Sequence, residues 1–365
     1  KDKKYIILIK KIDWWGEKDT LIYNQAFPER IIFKVIKDPT GVSQALANET
    51  IDVATRIDTK VFLDLRKKES FNNNYISSFL PQFSYGYMGL NQKPHGEHKK
   101  LFVNRNVRRA IAHLTPVDLI IDVVYHNKAE RQVTNTANSK HSFDTTLSPI
   151  AYDPIKAGRL LDEAGWKDTD GDDIRDKMID GKKEQFSFQL NFYSYATTKQ
   201  VVLILQEKFK EGGIELRPNA LDFTMLYDLA GKHEFDAMLG GWGGSASYSN
   251  PMQLWHTTSW SDNGSNFCGF GDAESDELIR QANETIDEQE HLEALHKLQK
   301  KIYDDQPYVF LYSTKKKIAI HRRFQQNKET DDQFRDRNML IERPSVILNS
   351  LKLNPDYKDK TPTIE

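Results

Sequence analysis

Apolar positions along the chain switch between a period of two and a period of 3.6 residues, and the switches mark out an α/β order. Residues 5 to 9 (YIILI) and 30 to 36 (RIIFKVI) are β-branched runs bounded by turn residues and predict strands. In "GVSQALANETIDVATRI", Val42, Ala45 and Leu46 predict a short helix, followed by a strand. From Asn106 the period lengthens: Val107, Ala110, Ile111 and Leu114 recur at i, i+3, i+4 and i+7, and Asp118 precedes a second helical run, "LIIDVVYH". Residues 127 to 150 are polar, rich in Asn, Thr and Ser, and read as a long surface excursion. "DPIKAGRLLDEAGW" predicts a helix capped by Asp153, with Pro154 at its first position and Gly165 as its stop. "FSFQLNFYS" alternates as a strand, and "TKQVVLILQEKFKEGGIELRPNAL" reads as helix, Gly-Gly stop and strand. A helix around 222 to 231 and the strand "FDAMLGG" come next. The charged stretch "DAESDELIRQANETIDEQEHLEALHKLQKKIYDDQP" predicts two helices ended before Pro307, and "YVFLYS" and "KIAIH" predict strands. Residues 322 to 340 and the tail after Asn354 are polar enough to read as loops or frayed ends.

Length and charge narrow the classes. The 365 residues exceed what one core usually serves, so two domains are expected. With 51 Lys and Arg against 53 Asp and Glu, the net charge of -2 argues against a nucleic-acid or polybasic membrane binder. The sequence has no run of 18 apolar residues, and the start "KDKKYIILIKKIDWW" lacks the pattern of a signal peptide. A single cysteine, Cys268, has no partner for an internal disulfide and leaves the compartment open.

Several stretches imitate chemical motifs and then break. "DTDGDDIRD" places Asp168, Asp170 and Asp172 at the spacing of a calcium loop, but position six is Asp173 rather than Gly and position twelve is Ile179 rather than Glu. A solvated turn with Gly171 and Gly181 is the reading preferred, with no metal. "GWGGSA" matches a dinucleotide fingerprint at Gly241, Gly243 and Ala246. Its helix, marked by Asn250 and Pro251, starts too late to aim amides at a pyrophosphate. "HEFDA" lacks the second histidine of a zinc protease, and "GGSAS" ends in Ser247 where a nucleophile elbow needs Gly. His291 and His296 stand five apart on a charged helix, and His113 lies beside an apolar helix face as a packed side chain. Carboxylates are too abundant to single out a catalytic pair. No catalytic set and no cofactor motif remains, which predicts a non-enzyme.

The aromatics are more informative. Tyr85, Tyr87, Trp242, Tyr248, Trp255, Trp260, Phe267 and Phe270 fall in glycine-rich or polar segments rather than at helical core spacing. Such rings offer an apolar face with a polar edge, suited to a ligand with amides or hydroxyls or to domain-interface packing.

The ordered segments resemble the bacterial extracellular solute-binding proteins of the oligopeptide, dipeptide and nickel class, which feed ABC importers. The resemblance rests on "YIILIKKIDWWGE", "RIIFKVIKDPTGVSQALANETIDVA", "YGYMGLNQKPHGEHKKLFVNRNVRRAIAHLTPVDLII", "AYDPIKAGRLLDEAGWKDTDGDDIRDK", "FDAMLGGWGGSASYSNPMQLW", "NFCGFGDAESDELIRQA" and "LQKKIYDDQPYVFLYS", from about residue 5 to 320. Pro116-Val117-Asp118 departs from the family's usual continuation of its first long helix.

The resemblance implies a two-lobed periplasmic-binding-protein fold of Venus-flytrap type, with mixed sheets, flanking helices and an incomplete first lobe. Residues 1–95 and 313–365 would form first-lobe portions and 96–312 a complete second lobe, with hinge crossings near 92–98 and 308–314. It further implies a longer protein with an exported, lipid-anchored start, a monomer that delivers a small-molecule or peptide ligand to a membrane ABC permease. Ligand would be enclosed between lobes. The site residues implied are Tyr85, Tyr87, Asn91, Trp242, Gly243, Gly244, Ser245, Tyr248, Asn266 and Phe267. Peptide-binding members place an aspartate three residues after the tryptophan to pair with the peptide's α-ammonium. Here Ser245 stands there and cannot neutralise a buried cation. Oligosaccharides, and peptides held by main-chain contacts, therefore stay open. A carboxylate-dependent hydrolase and a calcium-dependent adhesion module are the more distant alternatives.

Overall fold

The computed structural model describes residues 4–20, 22–36, 38–96, 98, 100–179, 181–244, 250–261, 264–324, 348 and 351–354. The chain divides into two compact units, Lys1–Gln82 with Lys315–Glu365, and Phe83–Thr314.

In the first unit, strand Lys316–His321 runs antiparallel between Val53–Ala54 and Tyr75–Leu80. Helices Pro39–Ala47, Thr59–Arg66 and Glu69–Asn74 bury Leu46, Phe62, Leu65 and Phe71 against Tyr75 and Ala319. Asp38 and Asp58 cap the first two by accepting hydrogen bonds from the backbone N–H groups of Thr40 and Val61. The predicted strands at 5 and 30 form as a separate antiparallel pair, Tyr5–Ile9 with Arg30–Lys34.

The second unit is built on a five-stranded sheet in the order Glu215–Leu221, Ser187–Tyr193, Ala237–Trp242, Tyr85–Leu90, Tyr308–Phe310. The first three are parallel, and Tyr85–Leu90 runs antiparallel to both its neighbours. This pairing places Tyr85–Leu90 in the second unit, although the sequence reading put it in the first. The units divide between Gln82 and Phe83, and a strand beginning at Tyr85 belongs to the sheet that completes its hydrogen bonds.

Side chains alternate strictly across this sheet. Met88, Leu90, Ala237, Leu239, Val309 and Leu311 point to one face, packed with helices Arg105–Leu114, Pro154–Glu163 and Ala196–Glu211. Tyr85, Tyr87, Met238, Tyr308 and Phe310 point to the other, under helices Phe223–Gly231, Ala273–Glu284 and Glu288–Asp305. Arg108 explains why a charged residue tolerates burial at 2% exposure in the first of these helices. Its guanidinium donates to the carbonyls of Phe102, Val103 and Asp305 and to the Asp305 carboxylate, so four of its five N–H donors are met and its charge is paired. His113 is packed as its position predicts, its Nδ1–H donating to Ala151 O, and burial holds its imidazole below the ordinary histidine range.

The polar stretch 127–150 runs over the surface as expected but is anchored along its length. Val133, Thr134, Ala137 and Leu147 are buried. Gln132 donates to the carbonyls of Thr134 and Thr136, while Gln299 donates to Ser142 O and accepts from Asp144 N. Side-chain amides replace secondary structure in satisfying this backbone.

Candidate functional site

The sheet of the second unit reverses its direction of growth at one place. Strand Ser187–Tyr193 leads through helix Ala196–Glu211 to its neighbour on one side, and the next crossover, through helix Phe223–Gly231, returns to Ala237–Trp242 on the other side. The two helices pack on opposite faces. Adjacent parallel strands whose connections diverge in this way leave a crevice at their carboxyl ends. Pairing between them stops at Ala237–Leu190 and Met238–Asn191, and the strands then part.

Trp242 closes the strand at this end. It is half-buried, and it is flanked by Tyr87 at 6.1 Å with an interplanar angle of 12° and by Phe267 at 5.9 Å and 21°. Tyr87 in turn stacks on Tyr308 at 3.9 Å. The indole Nε1 of Trp242 lies 3.4 Å from the Tyr308 hydroxyl as a long donor contact. Tyr85, Tyr87 and Phe267 are buried at 7%, 0% and 7% exposure. They back the tryptophan rather than present themselves to solvent. Burial raises the phenols of Tyr85, Tyr87 and Tyr308 above the usual tyrosine range, so this wall is neutral and offers stacking rather than proton transfer.

The glycines have different reasons. Gly240 pairs directly with Tyr87 and shares its face, and a Cβ there would sit 2.6 Å from both Cζ and Oη of Tyr87. At Gly244 a Cβ would meet the Phe83 carbonyl oxygen at 2.2 Å. Both are required by close packing inside the unit. Gly243 alone of the three has no atom within 4 Å of that position and is exposed, so only there does bare backbone face open space.

Asn91 and Asn266 do a different job from ligand lining. Asn91 is fully buried, donates both amide hydrogens to His233 O and Phe235 O, and accepts from Lys93 N. Asn266 donates to His256 O and Phe270 O and accepts from Phe270 N. Each is a latch between backbone segments, with no amide hydrogen left for a ligand. Ser245 and Tyr248 lie outside the described residues.

The acidic turn brings ligand-type oxygens together: Asp168, Asp170 and Asp176 each offer one within 4.8 Å of the others. The turn already satisfies them. Lys183 Nζ sits 2.5 Å from Asp170 and 3.2 Å from Asp176, Asp168 accepts from the N–H groups of Gly171 and Asp173, and Asp176 accepts from Thr169. An ammonium therefore already pairs with two of the three carboxylates. Asp172, by contrast, accepts from Ile174 N and Gln185 and is not one of the three.

The sequence profile for bacterial extracellular solute-binding proteins, family 5 Middle, matches residues 1–265. The chain belongs to this family. The oligopeptide-binding protein AppA of Bacillus subtilis (strain 168) is 28% identical over 306 residues, 83% of this chain and 54% of AppA. The nickel-binding periplasmic protein of Escherichia coli (strain K12) is 26% identical over 215 residues, 58% of this chain and 38% of that protein. This member thus spans about half the length of the AppA relative it matches. Among solved structures, AppA from Bacillus subtilis in complex with a nonapeptide superposes with a TM-score of 0.75 at 25% identity, covering 97% of this chain and 65% of that one. NikA from Brucella suis in complex with Fe(III)-EDTA gives 0.75 at 22% identity, covering 96% and 66%. The fold is that of the two-lobed periplasmic binding proteins, and the relatives named are binding proteins rather than enzymes. Among the described residues no helix is long and apolar enough to cross a membrane.

Proposed function

We propose that this family 5 member serves as part of the substrate-binding component of an ABC importer, takes an oligopeptide, and catalyses no reaction. The observation that carries the reading is Trp242: a half-buried indole, backed by neutral buried rings, followed at once by the open backbone of Gly243. A peptide main chain can hydrogen-bond such backbone while a side chain lies on the indole. The nonapeptide bound by AppA supports the choice of ligand class. Trp242 and Gly243 would touch the solute, Tyr87 and Phe267 would hold the indole from behind, and Ser245 and Tyr248 would border the contact.

A second reading is favoured by Ser245, which supplies no carboxylate for a peptide's free ammonium. Neutral solutes such as oligosaccharides, or peptides held through their main chain, fit an uncharged position. A monomer at the cell exterior or in the periplasm, lipid-anchored and docking to a membrane permease without nucleic acid, completes the proposal. A thermal-shift screen of peptides against cello- and chito-oligosaccharides decides between the solutes, since tight binding raises the melting temperature by linkage. Peptides are expected to give the larger shift. A shift with oligosaccharides alone would replace the reading.

A further inference from the structure

Helix Phe223–Gly231 ends in a turn that usually holds glycine. Lys232 is its C-cap, and beyond it the N–H of His233 donates to Ala230 O and that of Glu234 to Leu229 O, the paired bonds of a Schellman motif. His233 takes the left-handed position of that motif with a φ of 59°, where a side chain strains the backbone and glycine does not. A histidine held there needs a compensating contact, and its ring makes two. Nδ1 lies 3.0 Å from Phe267 O and Nε2 lies 2.8 Å from Trp260 O, in a residue only 5% exposed.

Both oxygens are acceptors only. A neutral imidazole has one N–H, so in either tautomer one nitrogen turns a lone pair toward a carbonyl. Flipping the ring does not help, because it sets carbons against both oxygens. Only the imidazolium donates at both ends. The surroundings suit a cation: the ring stacks on the indole of Trp260 at 4.6 Å and 17°, and it sits at the negative end of the helix dipole. On its own segment, Lys232 pairs with Asp228, Glu234 is exposed, and Asp236 is met by His98 Nδ1 and Gln189 N. From the preceding segment, Lys93 Nζ stands 6.0 Å from the Trp260 ring, and the His95 ring lies 5.4 Å from His233 with its Nδ1–H donating to Lys232 O. The described residues of 259–268 add only the Cys268 thiol, which burial keeps protonated.

We infer that His233 is held as an imidazolium and acts as a pH-sensitive latch, tying the end of helix Phe223–Gly231 to the Trp260–Phe267 segment. The latch reaches the candidate site, because Phe267 stacks behind Trp242 and its backbone is one of the two points fastened. Loss of the second ring proton to solvent sets a lone pair against a carbonyl and loosens the support behind the indole. The inference goes beyond the ligand reading and stands whichever solute is bound. The stability given by the second N–H is complete below about 6.5, the ordinary histidine value in an unfolded chain, and is lost as pH rises and the ring gives up its proton.

The test compares the melting temperatures of the intact protein and of His233→Gly at about pH 6 and about pH 9, on either side of the ordinary histidine value. Groups common to both chains cancel in the difference. Glycine suits the left-handed turn, so without a latch the substitution raises the melting temperature at both pH values. With the latch, His233→Gly melts about 2 °C or more below the intact protein at the lower pH, and the deficit shrinks or reverses at the higher one. His233→Asn, which tolerates left-handed backbone but cannot bridge both oxygens, should repeat the pattern. In the unaltered protein, ring 15N spectra should show both His233 nitrogens bound to hydrogen at about pH 7.5, where free histidine is mostly neutral. A gain with glycine at the lower pH, a deficit equal at both, or a His233 ring with one bare nitrogen would overturn the latch and leave the ligand reading untouched.

Discussion

The acidic turn at 168–176 and the strand end at 240–244 both look like places where a ligand belongs, and they differ in what remains unsatisfied. In the turn, carboxylate oxygens are met by Lys183, by backbone N–H groups and by Thr169. At the strand end, close packing holds Gly240, Gly244 and Tyr87 in place, yet Trp242 is only partly buried and the backbone of Gly243 is left to solvent. Polar clusters that complete themselves are architecture, whereas rings and backbone left over after packing are what a partner can use.

The largest effect expected from breaking this contrast is at Gly240. Gly240→Ala forces the buried Tyr87 ring to move and should destabilise the protein by about 1–3 kcal/mol in urea unfolding, an overpacking cost. Gly243→Ala, three residues on, should change stability by no more than about 0.5 kcal/mol. Equal costs at the two positions would show that the glycines share one role. Asn91→Ala removes the donors to two buried carbonyls and should cost roughly 1–3 kcal/mol without a specific loss of binding. A binding defect at unchanged stability would return Asn91 to the ligand surface.

In the turn, calcium added to the metal-stripped protein should move the melting temperature by less than about 1 °C, because no vacant site couples ion binding to folding. A rise of several degrees would overturn the self-completed reading. Lys183→Met should uncover a calcium response by leaving Asp170 and Asp176 unneutralised. The smallest effect is on pH. The N–H of Gly171, and then that of Asp173, hold the Asp168 carboxylate below its ordinary value of 3.8. A depressed carboxylate contributes stability that is fully present above the unfolded-state value and is lost as pH falls through the folded one. The acid limb of unfolding below about pH 4 should therefore be shallower in Asp168→Asn.

Period and caps made most helices and strands of the second unit legible, including the late helix start at Asn250-Pro251. Asn250 indeed accepts from Met252 N at the head of Met252–Trp255. What the sequence hid depends on distant partners. Asn91 reads as a ligand residue until His233 and Phe235, more than 140 positions away, are seen to take its amide hydrogens. Gly240 and Gly243 look alike until register sets Tyr87 opposite the first. The pair Tyr5–Ile9 and Arg30–Lys34 illustrates the converse: its apolar pattern matches that of buried strands, yet Ile6 and Ile9 are 54% and 78% exposed. Periodicity tells which residues can be covered, not whether they are. Tyr193, Phe223 and Tyr227 do not read as neighbours of Phe267 in the sequence because they sit on a strand and a helix whose adjacency only the crossovers create.

The most direct measurement is the affinity of the intact protein and its Trp242→Ala variant for a peptide that stabilises it in the thermal screen. Trp242 is half-buried against Tyr87 and Phe267, so circular dichroism and urea unfolding of the variant establish that it is folded under the binding conditions. Its affinity should fall about ten-fold or more, as expected for losing a stacked aromatic contact in a desolvated pocket. An unchanged affinity in a folded variant would contradict the placement of the ligand at this strand end.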